Sequence, residues 1–215
     1  MNNDRPSLLN DDLVWTWTIT STNARFSDGK FCEATEVSCT IKNVTTGLIS
    51  PILHLLTGDD VKSIILQYKG ISCDFTCFGL NPSEIVWIGG GVGITPFLAM
   101  HQGLLKTGGI KNVGITLLYA CRPEEAILIE SLVGSEAFEN ITVFSSTLKS
   151  NNNNYRVLNR RIQSSDITTI PSIRNKFPFI CGPSKLTECV VSWLQNDAGV
   201  NINQIHFEDF KLLWL

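Results

Sequence analysis

The sequence IVWIGGGVGITP, at residues 85–96, places four apolar residues before four glycines within five positions. The apolar run is rich in β-branched side chains and predicts a buried strand. The glycines allow a sharp turn and leave space for a ligand close to the backbone. Thr95 and Pro96 predict a helix start, with a hydroxyl cap followed by proline at the first helical position. A strand, a glycine turn and a helix N-terminus in this order predict a site for a phosphate or a dinucleotide.

The spacing of these glycines excludes two common phosphate-binding motifs. A P-loop needs a lysine and a hydroxyl residue after its last glycine, and Gly93 is followed by Ile94 and Thr95. The G-x-G-x-x-G fingerprint also fails, because Ile94 and Pro96 stand where its third glycine belongs. The string that remains, GGGVGITP, is closed by Thr-Pro. The alternative interpretation is a tight strand–helix turn that binds nothing.

The composition is that of a globular chain and excludes several function classes. Hydrophobic residues make up 43% and charged residues 17% of the 215 positions, which argues against disorder. The net charge of −3 gives no indication of a nucleic-acid surface. The N-terminus lacks the apolar core of a signal peptide and no run reaches membrane-spanning length, so we expect a cytoplasmic protein with no membrane span. The seven cysteines and three histidines show no metal-ligand spacing, and no metal site is predicted.

The first part of the chain has the pattern of a small antiparallel sheet. Apolar and polar residues alternate over residues 13–21 and 36–44, and a third strand is predicted at residues 61–67. Ser50 and Pro51 predict a short helix before that third strand. The break at residues 79–82 is the predicted boundary between a domain of residues 1–80 and a domain of residues 81–215.

Beyond this boundary, predicted strands and helices alternate along the chain. The strands cover residues 85–88, 113–121, 141–147, 177–181 and 205–210, with helices after Thr95, at residues 123–132, near Ser165 and from Pro183 to about Gly199. This order predicts an α/β fold with a doubly wound parallel sheet. Ligands bind such sheets at the carboxyl ends of the strands, where both the glycine turn and Gly182 are expected to lie.

Three motifs in this order resemble those of the ferredoxin–NADP reductase superfamily. The first is GGGVGITP, the second is Cys181-Gly182-Pro183 at the end of a later strand, and the third is the final strand IHFEDF with its glutamate and aromatic residue. The resemblance covers essentially the whole chain and is closest to the flavin-reductase-type modules of larger fungal-style oxidoreductases. It implies an NAD(P)-binding α/β domain at residues 81–215, preceded by a flavin-binding antiparallel β-barrel at residues 1–80.

The resemblance also implies a set of flavin-binding residues. The superfamily holds its flavin with an R-x-Y-[ST] strand and a G-x-x-S turn, which correspond here to residues 15–18 and 47–50. Trp17 would pack on the flavin ring, hydroxyls of Thr18 and Thr20 would meet its polar edge, and Ser50 would face its pyrophosphate. The cofactor-binding residues expected in this half and at the last strand are Trp17, Thr18, Ile19, Thr20, Gly47, Leu48, Ile49, Ser50 and Phe210. The alternative for residues 15–21 is an amphipathic strand without a ligand.

Two departures from the superfamily weaken the expected flavin site. Trp15 replaces the arginine that contacts the flavin phosphate, so a charge-assisted hydrogen bond is lost. Only fourteen residues precede Trp15, so we expect a partial barrel with open sheet edges. Weak flavin retention and some self-association follow from these departures.

The nucleotide site implied by the resemblance combines the first two motifs. The cofactor-binding residues expected there are Gly90, Gly91, Val92, Gly93, Thr95, Pro96, Cys181, Gly182 and Pro183. Thr95 and Cys181 are expected to be catalytic, because they would position the nicotinamide carbon about 3–3.5 Å from the flavin acceptor. The alternative for Cys181 is a buried strand cysteine without a catalytic role.

The sequence therefore predicts a flavin-dependent NAD(P)H oxidoreductase that passes hydride from the nicotinamide to FAD and electrons onward to an unknown acceptor. Its alternative is a catalytically impaired nucleotide-binding module, or an electron-transfer subunit that needs a partner chain to complete the flavin site. FMN in place of FAD stays open, as does the choice between NADH and NADPH. Arg122 could meet a 2′-phosphate and Glu124 a free ribose hydroxyl, unless both only begin a surface helix.

Overall fold

The computed structural model of the chain describes residues 19–22, 25–27, 30–33, 37–39, 75–77, 79–106, 114–133, 135–148 and 154–209. The strand predicted at residues 61–67 and the short helix predicted after Ser50 lie outside these residues.

The N-terminal part contributes four short strands in two antiparallel pairs. They are β1 (Ile19–Thr22), β2 (Arg25–Ser27), β3 (Lys30–Glu33) and β4 (Val37–Cys39). β1 pairs with β4, and β2 pairs with β3. β1 and β4 overlap the strands predicted at residues 13–21 and 36–44. The pairing is antiparallel, as a barrel requires, but a partial barrel stays a prediction.

The C-terminal part forms a six-stranded sheet. Its strands are β5 (Ile85–Gly90), β6 (Ile115–Ala120), β7 (Phe138–Phe144), β8 (Arg156–Leu158), β9 (Phe177–Gly182) and β10 (His206–Asp209). The spatial order is β10-β9-β5-β6-β7-β8, and every neighbouring pair is parallel. This confirms the predicted doubly wound parallel sheet. β8 was not predicted, because three residues are too few to show an alternation.

Helical segments connect these strands. The α-helices are α1 (Thr95–Lys106), α2 (Ser164–Thr168) and α3 (Ser184–Ser192). α3 continues as a π-helical turn at Trp193–Asp197 and stops at Gly199, whose φ of 68° suits glycine. The helix predicted at residues 123–132 is instead a 3-10 helix over Pro123–Ile129, because its backbone bonds close after three residues, as from Glu125 N to Arg122 O. No helix of the described part is both long and apolar enough to cross a bilayer.

The two faces of the parallel sheet are covered by two separate cores. One face packs against α1 around the fully buried side chains of Trp87, Phe97 and Phe179. The other packs Ile88 and Ile180 against side chains of α2 and α3. All six residues of β5 are buried, since both of its faces are covered. This explains why the strand reads as an unbroken apolar run rather than an alternating one.

The order of the strands places a crevice beside β5. The chain runs from β5 outward to β6, β7 and β8, and then returns to place β9 and β10 on the opposite side of β5. The connections therefore leave β5 and β9 in opposite directions at their carboxyl ends. In open α/β sheets, this switch point is where ligands bind.

Candidate nucleotide-binding site

The glycine turn at the end of β5 is itself helical. Gly91–Ile94 forms a 3-10 turn that continues directly into α1, and Gly90 precedes it without a side-chain cap. Thr95 is thus not the helix cap that its sequence context predicted. Its φ of −62° and ψ of −39° are helical, and its N–H donates to Val92 O. The helix starts earlier than predicted because residues 91–94 supply its first turn. The first N–H groups of a helix have no acceptor within the helix, so those of this turn are left for another partner.

Gly93 in this turn and Gly182 at the end of β9 have to be glycines because β5 and β9 end in backbone contact. A Cβ at Gly93 would overlap the carbonyl oxygen of Cys181, and a Cβ at Gly182 would lie 3.1 Å from Gly90 Cα. A Cβ at Gly90 would lie 2.5 Å from Leu186 Cδ2. The two motifs far apart in sequence are thereby brought together, and the backbone forms the floor of the crevice.

Gly91 has a different surrounding from the other glycines. Its φ is 55°, a left-handed conformation that glycine adopts without strain. A Cβ there would lie 3.3 Å from Glu125 Oε1. Gly91 and Val92 are partly exposed, whereas Thr95 is only 1% exposed and Pro96 is buried. The turn therefore offers the backbone of its first two residues to a ligand, while a contact from the Thr95 side chain stays a prediction.

Tyr119 holds the glycine turn in place through a hydrogen bond from its hydroxyl group. Its hydroxyl lies 3.0 Å from Gly91 O and 3.3 Å from Glu125 O, and its side chain is fully buried. Burial raises the pKa of Tyr119, so the hydroxyl keeps its proton and donates it. Tyr119 was not among the predicted site residues. Its position near the end of the strand next to β5 is the only sequence signal that could have found it.

A charged rim follows β6 directly. Arg122 N donates to Glu125 Oε2 at 2.9 Å, which caps the 3-10 helix that follows. The Arg122 guanidinium lies 3.8 Å from Glu124, and these two side chains are 69% and 67% exposed. Beside the rim, burial and then the charges of Glu125 and Glu124 raise the pKa of Cys121 to about 12. The carboxylates of the rim therefore favour the protonated form of the Cys121 thiol.

Cys181 faces a carboxylate on the neighbouring strand. The β9–β10 register pairs Cys181 with Glu208, and the thiol Sγ lies 3.7 Å from Glu208 Oε2. Burial, followed by the charge of Glu208, raises the pKa of the fully buried Cys181 thiol. Burial also raises the pKa of Glu208. Cys181 is thus a neutral thiol that donates to Glu208, and a thiolate nucleophile is not favoured here.

An aromatic wall continues from Cys181 along β9 and β10. Phe179 stacks on His206 with ring centroids 4.5 Å apart, and Phe75 meets the edge of Phe179 at 5.5 Å. Burial lowers the pKa of His206, so its ring is uncharged near neutral pH. The surroundings of Cys181 are consequently apolar on one side and acidic on the other.

Of the predicted flavin-binding residues, Ile19 and Thr20 fall within the described part of the chain. Trp17, Thr18, residues 47–50 and Phe210 lie outside the described residues. Ile19 and Thr20 are in β1, which is a close neighbour of α1. The structure therefore brings together the two nucleotide motifs and leaves the flavin half as a prediction.

Comparison with known proteins places this geometry in a family. Residues 87–192 match the family described as the oxidoreductase NAD-binding domain. No curated protein matches the sequence.

Several solved structures resemble this chain at low identity. The FAD/NAD-binding domain of nitric oxide dioxygenase from Vibrio cholerae has 21% identity and a TM-score of 0.55 over 90% of this chain and 76% of its own. The ferredoxin reductase in carbazole 1,9a-dioxygenase has 19% identity and a TM-score of 0.58 over 88% of this chain and 54% of its own. The flavohemoglobin from Malassezia yamatoensis has 24% identity and a TM-score of 0.44 over 60% of this chain, which spans 32% of that protein. The first two share the fold.

Proposed function

Because this chain belongs to the ferredoxin–NADP reductase superfamily, we propose that it is a flavin-dependent NAD(P)H oxidoreductase. In this proposal residues 81–215 bind the nicotinamide nucleotide and residues 1–80 contribute the flavin site. The electrons pass onward to an acceptor whose identity is open.

The observation that carries the proposal is the meeting of two turns at the switch point of the sheet. Gly93 and Cys181 are in backbone contact there, and the uncapped start of the helix faces the same crevice. An uncapped helix N-terminus directs N–H groups and a positive partial charge at an anion. The backbone of Gly91 and Val92 is partly exposed, so a nucleotide diphosphate can reach it.

The nicotinamide end of the nucleotide is proposed to lie beside Cys181. Cys181 and Glu208 are polar residues near the carboxyl ends of β9 and β10, and their side chains are hydrogen-bonded to each other. When both cofactors are bound, the nicotinamide and the flavin supply the redox chemistry themselves. The role of Cys181 is to hold the donor ring in place, and the role of Glu208 is to accept a hydrogen bond from the neutral thiol and so fix its orientation.

The flavin side of the proposal has less support. The Vibrio cholerae relative is an FAD/NAD-binding domain, and the shared fold supports FAD as the flavin here, with FMN as the alternative. Trp15 stands where the superfamily has an arginine, which favours a second candidate function. In that candidate, the chain is a nucleotide-binding module or an electron-transfer subunit that needs a partner chain to hold flavin.

An anaerobic absorbance titration tests the proposal and separates these candidates. The purified full-length chain is mixed with FAD, and NADH or NADPH is then added while the flavin band is followed. We expect the flavin band to bleach, and the rate of bleaching to fall about tenfold in Cys181→Ala with a smaller change in nucleotide affinity.

Three further results separate the proposed oxidoreductase from the second candidate function or overturn the proposal. Trp15→Arg should tighten FAD binding, by about ten- to a hundredfold at most, since it restores one charge-assisted bond. Nucleotide binding without any flavin reduction would favour the second candidate. Absence of nucleotide binding in the wild-type chain would overturn the proposal.

A further inference from the structure

The direction in which a bound nucleotide would extend follows from the position of Cys181. With its nicotinamide beside Cys181 and its diphosphate at the glycine turn, the adenosine end points away from β9. It then crosses the carboxyl ends of β6 and β7, which lie about 5 and 10 Å from the end of β5 at the usual strand spacing. A phosphate on the 2′-oxygen of that adenosine would have to be accommodated at one of these ends.

The rim at the end of β6 is poorly suited to an additional phosphate. The guanidinium of its one arginine, Arg122, lies 3.8 Å from Glu124, and the main-chain N–H of Arg122 donates to the carboxylate of Glu125. Glu125 is also the side chain nearest to Gly91, where the diphosphate is expected. A second group of negative charges at this place would meet repulsion before it reached a cation.

The arginine at the end of β7 is held by a carboxylate more firmly. The Arg160 guanidinium lies over the ring of Phe144, the last residue of β7, at 5.4 Å. Its two terminal nitrogens donate to the two oxygens of Asp166, both at 2.6 Å, and one of them also donates to Arg161 O at 3.0 Å. Asp166 is 12% exposed and additionally accepts from Gln163 N at 2.8 Å.

Asp166 is charged under ordinary conditions. Burial opposes its ionisation, but the hydrogen bonds from Arg160 and Gln163 outweigh burial and lower the pKa of Asp166. The bidentate pair is therefore formed near neutral pH, with the positive charge of Arg160 already balanced.

We propose that the nucleotide site selects NADH over NADPH, because two guanidinium groups near the expected adenosine end are already engaged by carboxylates and do not receive a 2′-phosphate. Arg122, which follows β6, faces Glu124, and Arg160, which lies over the end of β7, is paired with Asp166. This inference rests on the proposed function and names the substrate of the same site. Glu124 and Asp166 are its specificity-determining residues. Among the described residues near Arg160, Arg161 is exposed and is a cation that could receive the 2′-phosphate and so oppose the preference for NADH.

The test compares NADH and NADPH binding to the full-length chain by calorimetry at low ionic strength. NADH should bind about tenfold or more tightly, as expected for a phosphate that finds no charge-assisted partner. Asp166→Asn and Glu124→Gln should each narrow the ratio of the two dissociation constants. Glu136→Gln is the matched control, since it removes the same charge just before the start of β7 and should leave the ratio unchanged.

Several results would overturn the inference. They are equal or tighter binding of NADPH, a preference for NADH that neither variant narrows, and NADPH binding that is lost in Arg161→Ala. Glu124 is exposed, so Glu124→Gln keeps the test valid if Asp166→Asn fails to fold. If neither nucleotide binds, the proposed function itself is wrong and this inference falls with it. If NADPH binds as well as NADH, only the inference is wrong.

Discussion

The floor of the crevice is formed by backbone, whereas the rim beside it is formed by side chains. The floor, at Gly90, Gly93, Cys181 and Gly182, is backbone packed against backbone, with no space for even one added carbon at Gly93. The rim, residues 122–125, is made of charged side chains, of which Arg122 and Glu124 are more than two-thirds exposed.

This difference separates two tasks of a nucleotide site. Backbone N–H groups recognise the diphosphate that all such nucleotides share, and they have to be held rigidly. Side chains at the rim would contact the adenosine end, where NADH and NADPH differ. An exposed side chain there can be substituted without disturbing the fold. We therefore expect substitutions in the floor to change stability and the affinity for both nucleotides. Substitutions in the rim should change the preference between NADH and NADPH.

The largest effect is expected at Gly93. In Gly93→Ala the new methyl group collides with the Cys181 carbonyl, and backbone on both sides has to move. We expect a loss of about 3 kcal/mol or more in the free energy of unfolding. The measurement is urea unfolding followed by circular dichroism.

Gly103→Ala is the matched control for this change. Nothing lies within 4 Å of a Cβ at Gly103, which is exposed on α1. Alanine in place of a helical glycine should stabilise the chain by about 0.5–1 kcal/mol. If the two variants unfold alike, the floor is not packed as described.

The next effect is expected at Gly91, where the floor meets the ligand. Gly91→Val forces a β-branched residue into a φ of 55° and places its side chain against Glu125. We expect a loss of about 1–2 kcal/mol in stability and, because methyl groups then cover the turn, no measurable NADH binding. Binding is followed by NADH fluorescence at a temperature where the variant stays folded. Wild-type affinity in the folded variant would remove this turn from the site.

Tyr119 connects the floor to the rim, and its removal should loosen both. Tyr119→Phe keeps the buried ring but takes the hydroxyl from Gly91 O and Glu125 O. Leaving carbonyl oxygens unpaired should cost about 1–2 kcal/mol in stability and weaken NADH severalfold. Tyr155→Phe is the matched control, because it removes a tyrosine hydroxyl from the residue that precedes β8. Equal effects of the two tyrosine changes would contradict the role of Tyr119.

The smallest of the four effects is a pH dependence from Glu208. Burial raises the pKa of Glu208 in the folded chain above its ordinary value. The folded state then binds more protons than the unfolded state, so this contribution to stability is lost as pH rises through the raised pKa. Glu208→Gln should flatten that part of the stability profile, measured by urea unfolding between about pH 4 and 7. A profile with the same slope in the variant would show that Glu208 does not titrate in this range.

The features that sequence predicted well are those with local signals. The apolar runs of β5, β6, β7 and β9 and the glycines between elements are visible in single segments. The doubly wound parallel sheet, and the position of both glycine-bearing turns at carboxyl ends of strands, were therefore predictable. Both glycine-bearing motifs could be recognised in the sequence, because each follows a predicted strand of a parallel sheet. Their contact with each other could not be recognised there.

The features that sequence missed depend on how distant segments meet. The pairing of Cys181 with Glu208 requires the register of β9 on β10, and the bridge from Tyr119 to Gly91 requires two strands side by side. Thr95 was expected to cap a helix, because a Thr-Pro pair carries that signal locally. In the fold, the glycines before it wind into the first turn and leave Thr95 inside the helix.

Amide hydrogen exchange of the full-length chain, with and without NADH, tests most directly whether the crevice between β5 and β9 is the nucleotide site. We expect NADH to slow exchange at residues 90–94 and 181–184, the two turns that form the floor, more than anywhere else in the described sheet. Slowing confined to other segments, or no slowing in a chain that binds NADH, would contradict it.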